Sequence, residues 1–489
     1  MSATPRGWYI VLNSLPAATN APLPWKRPPS VPGGCELRLD LWQGPLPITL
    51  PAEMGPAIVT DRGGKLDPFR ERSRHRDELC RHCKGWLDVD PETDEPAPED
   101  LPWILSKHLK EDDRAAITAA VAEAQSQGAL AAKVVFPAQT SLKRRIEILE
   151  EAQRSPFPCV AFALSDHNHA DRLWAREMGQ PWGYAMADQD KLPMKGMLTL
   201  SELQNRYRWC EDSAPQNRYL IIGKDVRHSL SPDFHNQLFF EQGLQQRFYP
   251  WSTDDPLEDF NGASKLDVSG YAITAPYKSL VTDFGQGVTD SCGTFTAWNT
   301  LARINEDWRG TSTDGAGAVE LLRSHLKPGV KVVILGRGGA AQSVATEFSE
   351  YGAEVVLLCR PGRDVEGNSS GPASFQIHRE SDDPDLIETA EVLINATGTD
   401  PINATDWPWD LDRFRGKIAL EMDYSRGTTA FEKFLRDGKG ISVWSGHHFF
   451  AAQAVHQAKF FGSQTLDLNE AIALVDQCLQ RRNKCNYPS

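Results

Sequence analysis

Lys133 stands in an apolar run, Leu130-Ala131-Ala132-Lys133-Val134-Val135-Phe136, where a lysine can serve as an amine that attacks a carbonyl. Drawn into an apolar strand it is desolvated, which disfavours the ammonium and frees the neutral amine for imine formation. The alternative is a salt-bridged or snorkelling lysine whose apolar stem is buried and whose head finds water or a carboxylate. Other reactive and charged side chains sit at or just beyond the ends of neighbouring strand candidates: Glu36, Arg38, Arg62, Asp90, His108 and Arg172. Strand C-termini are where (β/α)8 enzymes gather their catalytic groups.

A second chemical signature lies in VKVVILGRGGAAQSVATEFSEYGAEVVLLCR, residues 330–360. Gly336, Gly338 and Gly339 follow a strand pattern and open a helix, with Ala340 and Ala341 next. Glycines there let the backbone approach a pyrophosphate, and the free amides of the helix terminus meet its charge. The second strand runs into Arg360 and Arg363, where an NAD site would carry an acidic residue for the ribose hydroxyls. Those arginines either favour a 2′-phosphate, and hence NADP(H), or are solvated loop charges.

The elements that must position these groups are legible in outline. Eight strand candidates precede residue 190: 8–13, 36–42, 57–61, 86–90, 103–107, 132–136, 159–165 and 182–187. Helical patterns such as RAAITAAVAEAQSQG and TSLKRRIEILEEAQR separate some of them, and strand-helix alternation is the signature of a parallel sheet. The expected fold is α/β, an N-terminal (β/α)8 barrel followed by a second α/β unit. A polar stretch, QNRYRWCEDSAPQNR, then gives way to a new strand, YLIIG at 219–223, which places a boundary near residue 214. No internal repeat or low-complexity segment interrupts the chain.

At 489 residues the chain is too long for one core, so several compact units are expected. With 52 basic and 66 acidic residues the net charge is 52 − 66 = −14, which argues against a nucleic-acid binder that relies on phosphate contacts. No apolar stretch reaches the roughly 18 residues that a spanning helix needs. The N-terminus, MSATPRGWYIVLN, lacks the apolar core of a secretory signal, so a cytoplasmic protein is expected. Nine scattered cysteines form no disulfide framework, and the single CxxC, Cys80 and Cys83, has no second pair at zinc spacing. No metal is expected.

The C-terminal half, over nearly all of 218–489, resembles shikimate dehydrogenase. Ser229-Leu230-Ser231-Pro232 resembles that family's SxSP loop, Ile273 through Lys278 its VTxPxK segment, Asn299-Thr300 its GAxNT segment, and Gly310 through Gly317 its GxNTDxxG segment. Asn395-Ala396-Thr397-Gly398 is similar to its INAT strand end, and Asp423-Tyr424 and Gln453-Ala454 to its late substrate and cofactor positions. The resemblance implies that Lys278, oriented by Asp314, donates a proton while a nicotinamide supplies hydride. It further implies that Ser229, Ser231, Thr274, Asn299, Tyr424 and Gln453 hold the substrate. The cofactor would meet Gly336, Gly338, Gly339, Ala340, Arg360, Arg363, Asn395, Ala396, Thr397 and Gly446. The family's NTD triplet reads Ser312-Thr313-Asp314 here, so a smaller hydroxyl stands in for an asparagine.

Residues 7–212 resemble type I 3-dehydroquinate dehydratase. Glu36 through Asp40 is similar to its ExRxD strand, Thr60-Asp61-Arg62 to its TxR strand end, Leu87 through Asp90 to its DxE strand, Ser106-Lys107-His108 to its SxH segment, and Gly128 through Val135 to its GADIVKIA segment. The resemblance implies that Lys133 forms an imine with the substrate ketone, His108 moves the proton, and Asp90 orients His108. Arg38, Arg62 and Arg172 with Glu36 would bind the carboxylate and hydroxyls. The departures are Asp90 in place of glutamate, Gly63-Gly64 for the EGG run, and Pro193-Met194-Lys195-Gly196 for the closing Pro-Gly-Gln loop. The two resemblances imply consecutive steps, dehydration of 3-dehydroquinate and reduction of 3-dehydroshikimate. The expected domains are a dehydratase-like barrel over 1–213, a substrate-binding domain over 218–315 and a Rossmann domain over 316–489 whose last helices return to the substrate domain. Expected partners are these small molecules, with neither nucleic acid nor membrane and with a homodimer left open. The alternatives are a quinate/shikimate dehydrogenase with a decayed dehydratase, or a non-catalytic regulator built from the same parts.

Overall fold

The computed structural model describes residues 4–12, 33–42, 55–62, 70–137, 141–165, 168–187, 196–209, 214–283, 289–290, 297–305, 307–359, 376–379, 385–398, 407–425 and 427–485. The first sheet consists of β1 (Gly7–Leu12), β2 (Gly33–Arg38), β3 (Ala57–Thr60), β4 (Trp86–Val89), β5 (Trp103–His108), β6 (Ala131–Phe136), β7 (Cys159–Ala163), β8 (Trp182–Met186) and the short β9 (Leu198–Thr199). Its order is β7-β6-β5-β4-β3-β2-β1-β8-β9, and every ladder is parallel. All eight expected strands occur, with ends shifted by at most a few residues. The largest shift is in the second, which starts at Gly33 and gives way to a 3-10 turn over Leu39–Leu41.

Both faces of this sheet are covered, as parallel strands require. Tyr9, Val11, Ile58, Trp86, Ile104, Val135, Val160, Phe162 and Tyr184 meet in one cluster on the inner side. On the other side the described helices are α1 (Arg70–Cys83), α2 (Ala115–Ser126), α3 (Leu142–Arg154) and α4 (Ala170–Glu177). The connection from β4 to β5 contains no helix, where strict alternation would place one. Pro91, Pro96, Pro98 and Pro102 account for that, because proline lacks the helical donor and disfavours helix in the residue before it.

Phe162 of β7 and Tyr184 of β8 have ring centroids 6.1 Å apart, so the two ends of the strand series face each other across the inner cluster. The edge amides of β7 are satisfied by side chains: Ala161 N–H donates to Gln180 Oε1 at 2.9 Å and Ala163 N–H to Asp171 Oδ2 at 3.0 Å.

The second sheet holds β10 (Asn217–Gly223), β11 (Gln246–Ser252), β12 (Val268–Ile273), β13 (Thr289–Asp290), β14 (Thr300–Ile304) and β15 (Asp307–Thr311), in the order β11-β10-β12-β14-β15-β13. Helices α5 (Ser231–Glu241) and α6 (Pro256–Ala263) belong to it, and α7 (Thr313–Leu322) leads out. The third sheet is parallel throughout: β16 (Lys331–Leu335), β17 (Glu354–Cys359), β18 (Gln376–Arg379), β19 (Val392–Asn395), β20 (Ile418–Glu421) and β21 (Ser442–Trp444). Its order, β18-β17-β16-β19-β20-β21, is that of a doubly wound dinucleotide-binding sheet, with the switch point between β16 and β19. Its helices are α8 (Gly339–Glu350), α9 (Leu386–Thr389) and α10 (Ala430–Lys433). Helices α11 (Gly446–Phe460) and α12 (Leu468–Cys485) then pack on α5 through Phe450, Ala454 and Leu474 against Phe234 and Leu238. Among the described residues no helix is long and apolar enough to cross a membrane.

The first two sheets share a core. Trp174 of α4 stacks on Trp251 of β11 at 5.6 Å, and Tyr207 stacks on Tyr249 at 6.3 Å. Glu177 at the end of α4 accepts from Arg218 Nε at 3.1 Å, from Arg247, and from the Tyr249 hydroxyl at 2.5 Å. Its side chain is fully buried, so removing it leaves two arginines without their counter-charge. Glu177→Ala should lower the melting temperature of the full chain, at a cost of about 3 kcal/mol, as expected for breaking a buried ion pair from one side. A melting temperature within error of wild type would show that Glu177 adds nothing to the junction.

Candidate active sites

The N-terminal cavity, about 460 Å³, opens at the C-terminal ends of the first-sheet strands and is lined by every side chain singled out there: Glu36, Arg38, Arg62, Asp90, His108, Lys133 and Arg172. Strand periodicity explains the convergence, since residues two apart share a face. Ala131, Lys133 and Val135 point inward, while Ala132, Val134 and Phe136 pack outward with α2 and α3. Lys133 is 6% exposed, so it is buried as the apolar run implies, but its head is not without partners. Lys133 Nζ lies 2.6 Å from Asp88 Oδ2, 3.6 Å from Glu36 Oε1 and 4.5 Å above the Tyr184 ring. Of its apolar flanks, Ala132 and Val134 lie on the opposite face while Ala131 and Val135 share the inner one, so Lys133 is both buried and ion-paired.

Asp88, the first aspartate of the DxE-like segment, has no role in the motif reading, although its spacing two residues before Asp90 places it on the same face. It also accepts from Arg62 Nη2 at 2.6 Å, while Arg62 Nη1 meets Asp94 at 2.6 Å. Burial alone would raise its pKa, but the charges of Arg62 and Lys133 outweigh burial and hold the Asp88 carboxyl well below the usual carboxylate range. His108 Nδ1 is 3.4 Å from Asp90 Oδ2, so the shorter aspartate still reaches the imidazole. Asp90 is likewise held low: burial opposes this, but the contacts to His108 and to the Glu92 N–H prevail. Arg38 forms a two-pronged pair with Asp40 at 2.6 and 2.9 Å. Arg172 is different. Its guanidinium lies 4.2 Å from the Phe162 ring centroid, its Nε has no hydrogen-bond partner, and burial brings its pKa down to about 10. A buried cation with an unmet donor facing a cavity fits an anionic ligand. Of the departures noted in the sequence, Gly63-Gly64 and residues 193–195 lie outside the described residues.

The C-terminal cavity, about 690 Å³, lies between the second and third sheets and is lined by Ser229, Ser231, Thr274, Lys278, Asn299, Asp314, Tyr424 and Gln453. Lys278, in the turn after β12, donates to Asp314 in the first turn of α7. Asn299 Nδ2 fixes the other Asp314 oxygen at 3.0 Å and reaches Thr313 Oγ1 at 2.9 Å, while Thr313 Oγ1 donates to Gln453 Oε1 at 3.0 Å. Asn299 and Gln453 thus brace the lysine–aspartate pair as well as facing the cavity. Burial pushes the Tyr424 phenol up to about 12, although a hydrogen bond with Ser229 works against burial. Ser312, the departure from NTD, donates to Ser343 Oγ of α8 at 2.7 Å, and Ser343 Oγ also accepts from Gly315 N–H at 3.0 Å. The smaller hydroxyl therefore joins α7 to α8 directly.

At the far end the cavity reaches Gly338, Gly339 and Ala340 at the start of α8, and Ala396, Thr397 and Gly398 after β19. Gly336 has φ +108, a conformation that disfavours a side chain, and a Cβ on Gly339 would come within 2.9 Å of the Ala297 Cβ, whereas one on Gly338 would meet nothing. An open backbone cradle at a helix N-terminus, at the switch point of a doubly wound sheet, fits a dinucleotide pyrophosphate. Three residues expected to meet the cofactor, Asn395, Gly446 and Gly336, do not line the cavity. Asn395 is buried with its amide on both oxygens of Glu421 at 3.0 and 2.9 Å, and Gly446 is packed on the Asp423 backbone. Gly336 acts through the turn. Arg360 and Arg363 lie outside the described residues.

A parallel dinucleotide-type sheet facing a mixed sheet, with a lysine–aspartate pair in the cleft, defines a dehydrogenase architecture. The family model for the shikimate dehydrogenase substrate binding domain matches residues 221–301. The shikimate dehydrogenase (NADP(+)) of Thermococcus kodakarensis is 32% identical over 41% of this chain and 75% of its own length, and that of Methanothrix thermoacetophila is 30% identical over 45% and 81%. The chain belongs to the shikimate dehydrogenase family through its C-terminal half. The chloroplastic bifunctional 3-dehydroquinate dehydratase/shikimate dehydrogenase of Arabidopsis thaliana is 25% identical over 70% of this chain and 59% of that protein.

Glu421, at the end of β20, holds together two turns of the cleft. It accepts from Asn395 and from Thr429 Oγ1 at 2.7 Å and the Asp423 N–H at 2.8 Å, and Asn395 Oδ1 in turn accepts from Thr397 Oγ1 at 2.8 Å. Burial outweighs these donors and pushes the Glu421 carboxyl up to about 7, from an ordinary value of 4.5. A raised carboxyl means that the folded state keeps a proton that the unfolded chain loses, so this contribution to stability is full below about pH 4.5 and is lost as pH rises through about 7. Glu421→Gln should flatten the fall of melting temperature with pH in that window, whatever it does to the absolute value. An unchanged slope would show that Glu421 does not titrate there.

Proposed function

We propose that the chain is a bifunctional enzyme that dehydrates 3-dehydroquinate to 3-dehydroshikimate in its N-terminal unit and reduces that product to shikimate with NADPH in its C-terminal half. The observation that carries the reading is the convergence of Lys133, His108, Asp90 and an unpaired buried Arg172 on one cavity, alongside a Lys278–Asp314 pair on the other. The N-terminal unit, residues 1–213, is read as a (β/α)8 barrel whose seam between β7 and β8 is filled by Asp171 and Gln180. Residues 218–315 are read as the substrate-binding domain, and residues 316–489 as the Rossmann domain, with α11 and α12 returning to the substrate-binding domain.

In the first site Arg172 takes the substrate carboxylate. Lys133 attacks the ketone carbon and water leaves to give an imine, which acidifies the adjacent C–H. Lys133 sheds its proton to solvent before attack, and Asp88, held ionised beside Arg62, orients the amine. His108, oriented by Asp90, takes the proton from carbon and passes it to the departing hydroxyl, which leaves as water. Hydrolysis of the imine releases product and restores Lys133. In the second site Ser229 and Ser231 hold the carboxylate, and Thr274, Asn299, Tyr424 and Gln453 hold the ring hydroxyls. The Gly338-Gly339 turn would hold NADPH, which when bound would supply hydride to the ketone carbon, and Arg360 and Arg363, read from the sequence, would suit its 2′-phosphate. Lys278 delivers the proton to the carbonyl oxygen, and Asp314 fixes the direction of that ammonium.

Borohydride added with 3-dehydroquinate should inactivate the dehydratase and leave a reduced adduct on Lys133, found by peptide mapping. An adduct on another lysine, or intact dehydratase activity, sinks the imine assignment. In a coupled assay with 3-dehydroquinate and NADPH, Lys278→Ala should accumulate 3-dehydroshikimate and lower kcat of reduction by about a hundredfold or more with KM nearly constant, the pattern of a lost general acid. Lys133→Ala should block NADPH oxidation from 3-dehydroquinate but not from added 3-dehydroshikimate. If wild-type protein oxidises NADPH with neither substrate, the bifunctional reading fails.

A further inference from the structure

Three parts of the chain meet behind the Ser229–Ser231 loop. Arg482 on α12 donates from Nη1 to the His228 carbonyl at 2.9 Å and from Nη2 to the Ser229 carbonyl and the Asp233 carboxylate. Arg206, near the end of the N-terminal unit, puts Nε 3.3 Å from the same Asp233 oxygen and Nη2 3.5 Å from the same Ser229 carbonyl. Asp233 and Arg206 are 5% and 4% exposed, so neither contact competes with much solvent. A second tether runs alongside. Asn168 of the N-terminal unit exchanges two hydrogen bonds with the Ser252 backbone, at 2.7 and 2.8 Å, and Ser252 Oγ accepts from Val226 N–H at 3.1 Å. The backbone from 226 to 233 is thus fixed from the rear by groups that do not line the cavity.

Glu202 lies 3.5 Å from Arg206, so two arginines face two carboxylates in this cluster. The charges balance, and the cluster supplies little net field to an acidic ligand. Its effect is geometric: a guanidinium fork holds a carbonyl and a carboxylate in one plane, which a lysine cannot reproduce. The hydroxyls of Ser229 and Ser231 are therefore presented by a backbone that the N-terminal unit and the C-terminal helix grip together.

We infer that Arg206 and Arg482 are positioning residues for acid binding in the reductase site, and that through Arg206 the dehydratase-like unit sets the reductase's affinity for its substrate. The inference rests on the reading of Ser229 and Ser231 as the carboxylate grip. In the full chain, Arg206→Ala and Arg482→Ala should each raise KM for 3-dehydroshikimate about five- to tenfold, with kcat and KM for NADPH within about twofold, the signature of lost ground-state binding. The double variant should fall short of the product of the two effects, because both act on Asp233. Arg206→Lys, which keeps the charge without the fork, should show a similar loss. Asp233→Asn, which keeps the size of the shared anchor, must raise KM in the same way if Arg206→Ala does not fold. An unchanged KM in these variants, or an equal loss in kcat and in NADPH affinity, overturns the inference. If wild-type protein does not reduce 3-dehydroshikimate, the reading of the site fails separately. Hydrogen exchange then decides: faster exchange over 226–233 in both variants upholds the positioning, and unchanged protection overturns it.

Discussion

A carboxylate taken out of water must be paired, and this protein meets that requirement at its critical points by letting one buried carboxylate serve several donors. Asp88 takes Arg62 and Lys133, Asp314 takes Lys278 and Asn299, Asp233 takes Arg206 and Arg482, and Glu177 takes Arg218, Arg247 and Tyr249. Each donor comes from a different element from the others in its set or from the carboxylate. The arrangement fixes relative positions of strands and helices more tightly than apolar contact does, since apolar packing tolerates sliding and a hydrogen-bonded charge does not. Lys133 and Lys278 inherit their placement from this: each is held by a carboxylate whose other oxygen is anchored elsewhere.

The sheets make such pairing feasible. In the first, residues 88 and 90 of β4 and its end, 133 of β6 and 36 of β2 share the inner face because every ladder is parallel and every second residue returns to that face. In the third, the reversal of strand order between β16 and β19 opens a crevice at the C-terminal ends of the strands, and the glycine turn and Thr397 stand on either side of it. The lysine–aspartate pair comes from neither strand, but from the turn after β12 and from α7, so hydride donor and proton donor would approach from separate bodies.

Much of this was legible beforehand because the signals are local. The eight N-terminal strands are short apolar runs bounded by polar turns, and the glycine turn of 336–339 lies between two strands. What escaped depends on facing rather than on sequence distance. Lys133 reads as an amine among alanines and valines, yet its neighbours in space are Asp88 and Glu36, which are far away in the chain and visible only once strand pairing is known. Asn395 and Gly446 read as cofactor contacts because they flank residues that line the cleft, whereas one braces Glu421 and the other lets α11 start against the Asp423 backbone. The missing helix between β4 and β5 follows from its prolines, which a count of alternating elements ignores.

Ser312 shows how a departure can be absorbed. An asparagine at that position would have a longer side chain with two donors, and serine has one hydroxyl on a short stem. Here that hydroxyl reaches Ser343 on α8, whose own oxygen also receives the Gly315 amide at the start of α7. The contact therefore spans the two bodies of the reductase half, one carrying Asp314 and the other the glycine turn. A Cβ on Gly315 would come within 2.4 Å of the Glu347 side chain and 2.7 Å of the Ser343 carbonyl, so α7 and α8 already touch with no room for a longer linker. Close approach of the helices and a short hydroxyl at 312 thus suit each other, and the contact joins the helix that carries Asp314 to the helix that follows the glycine turn.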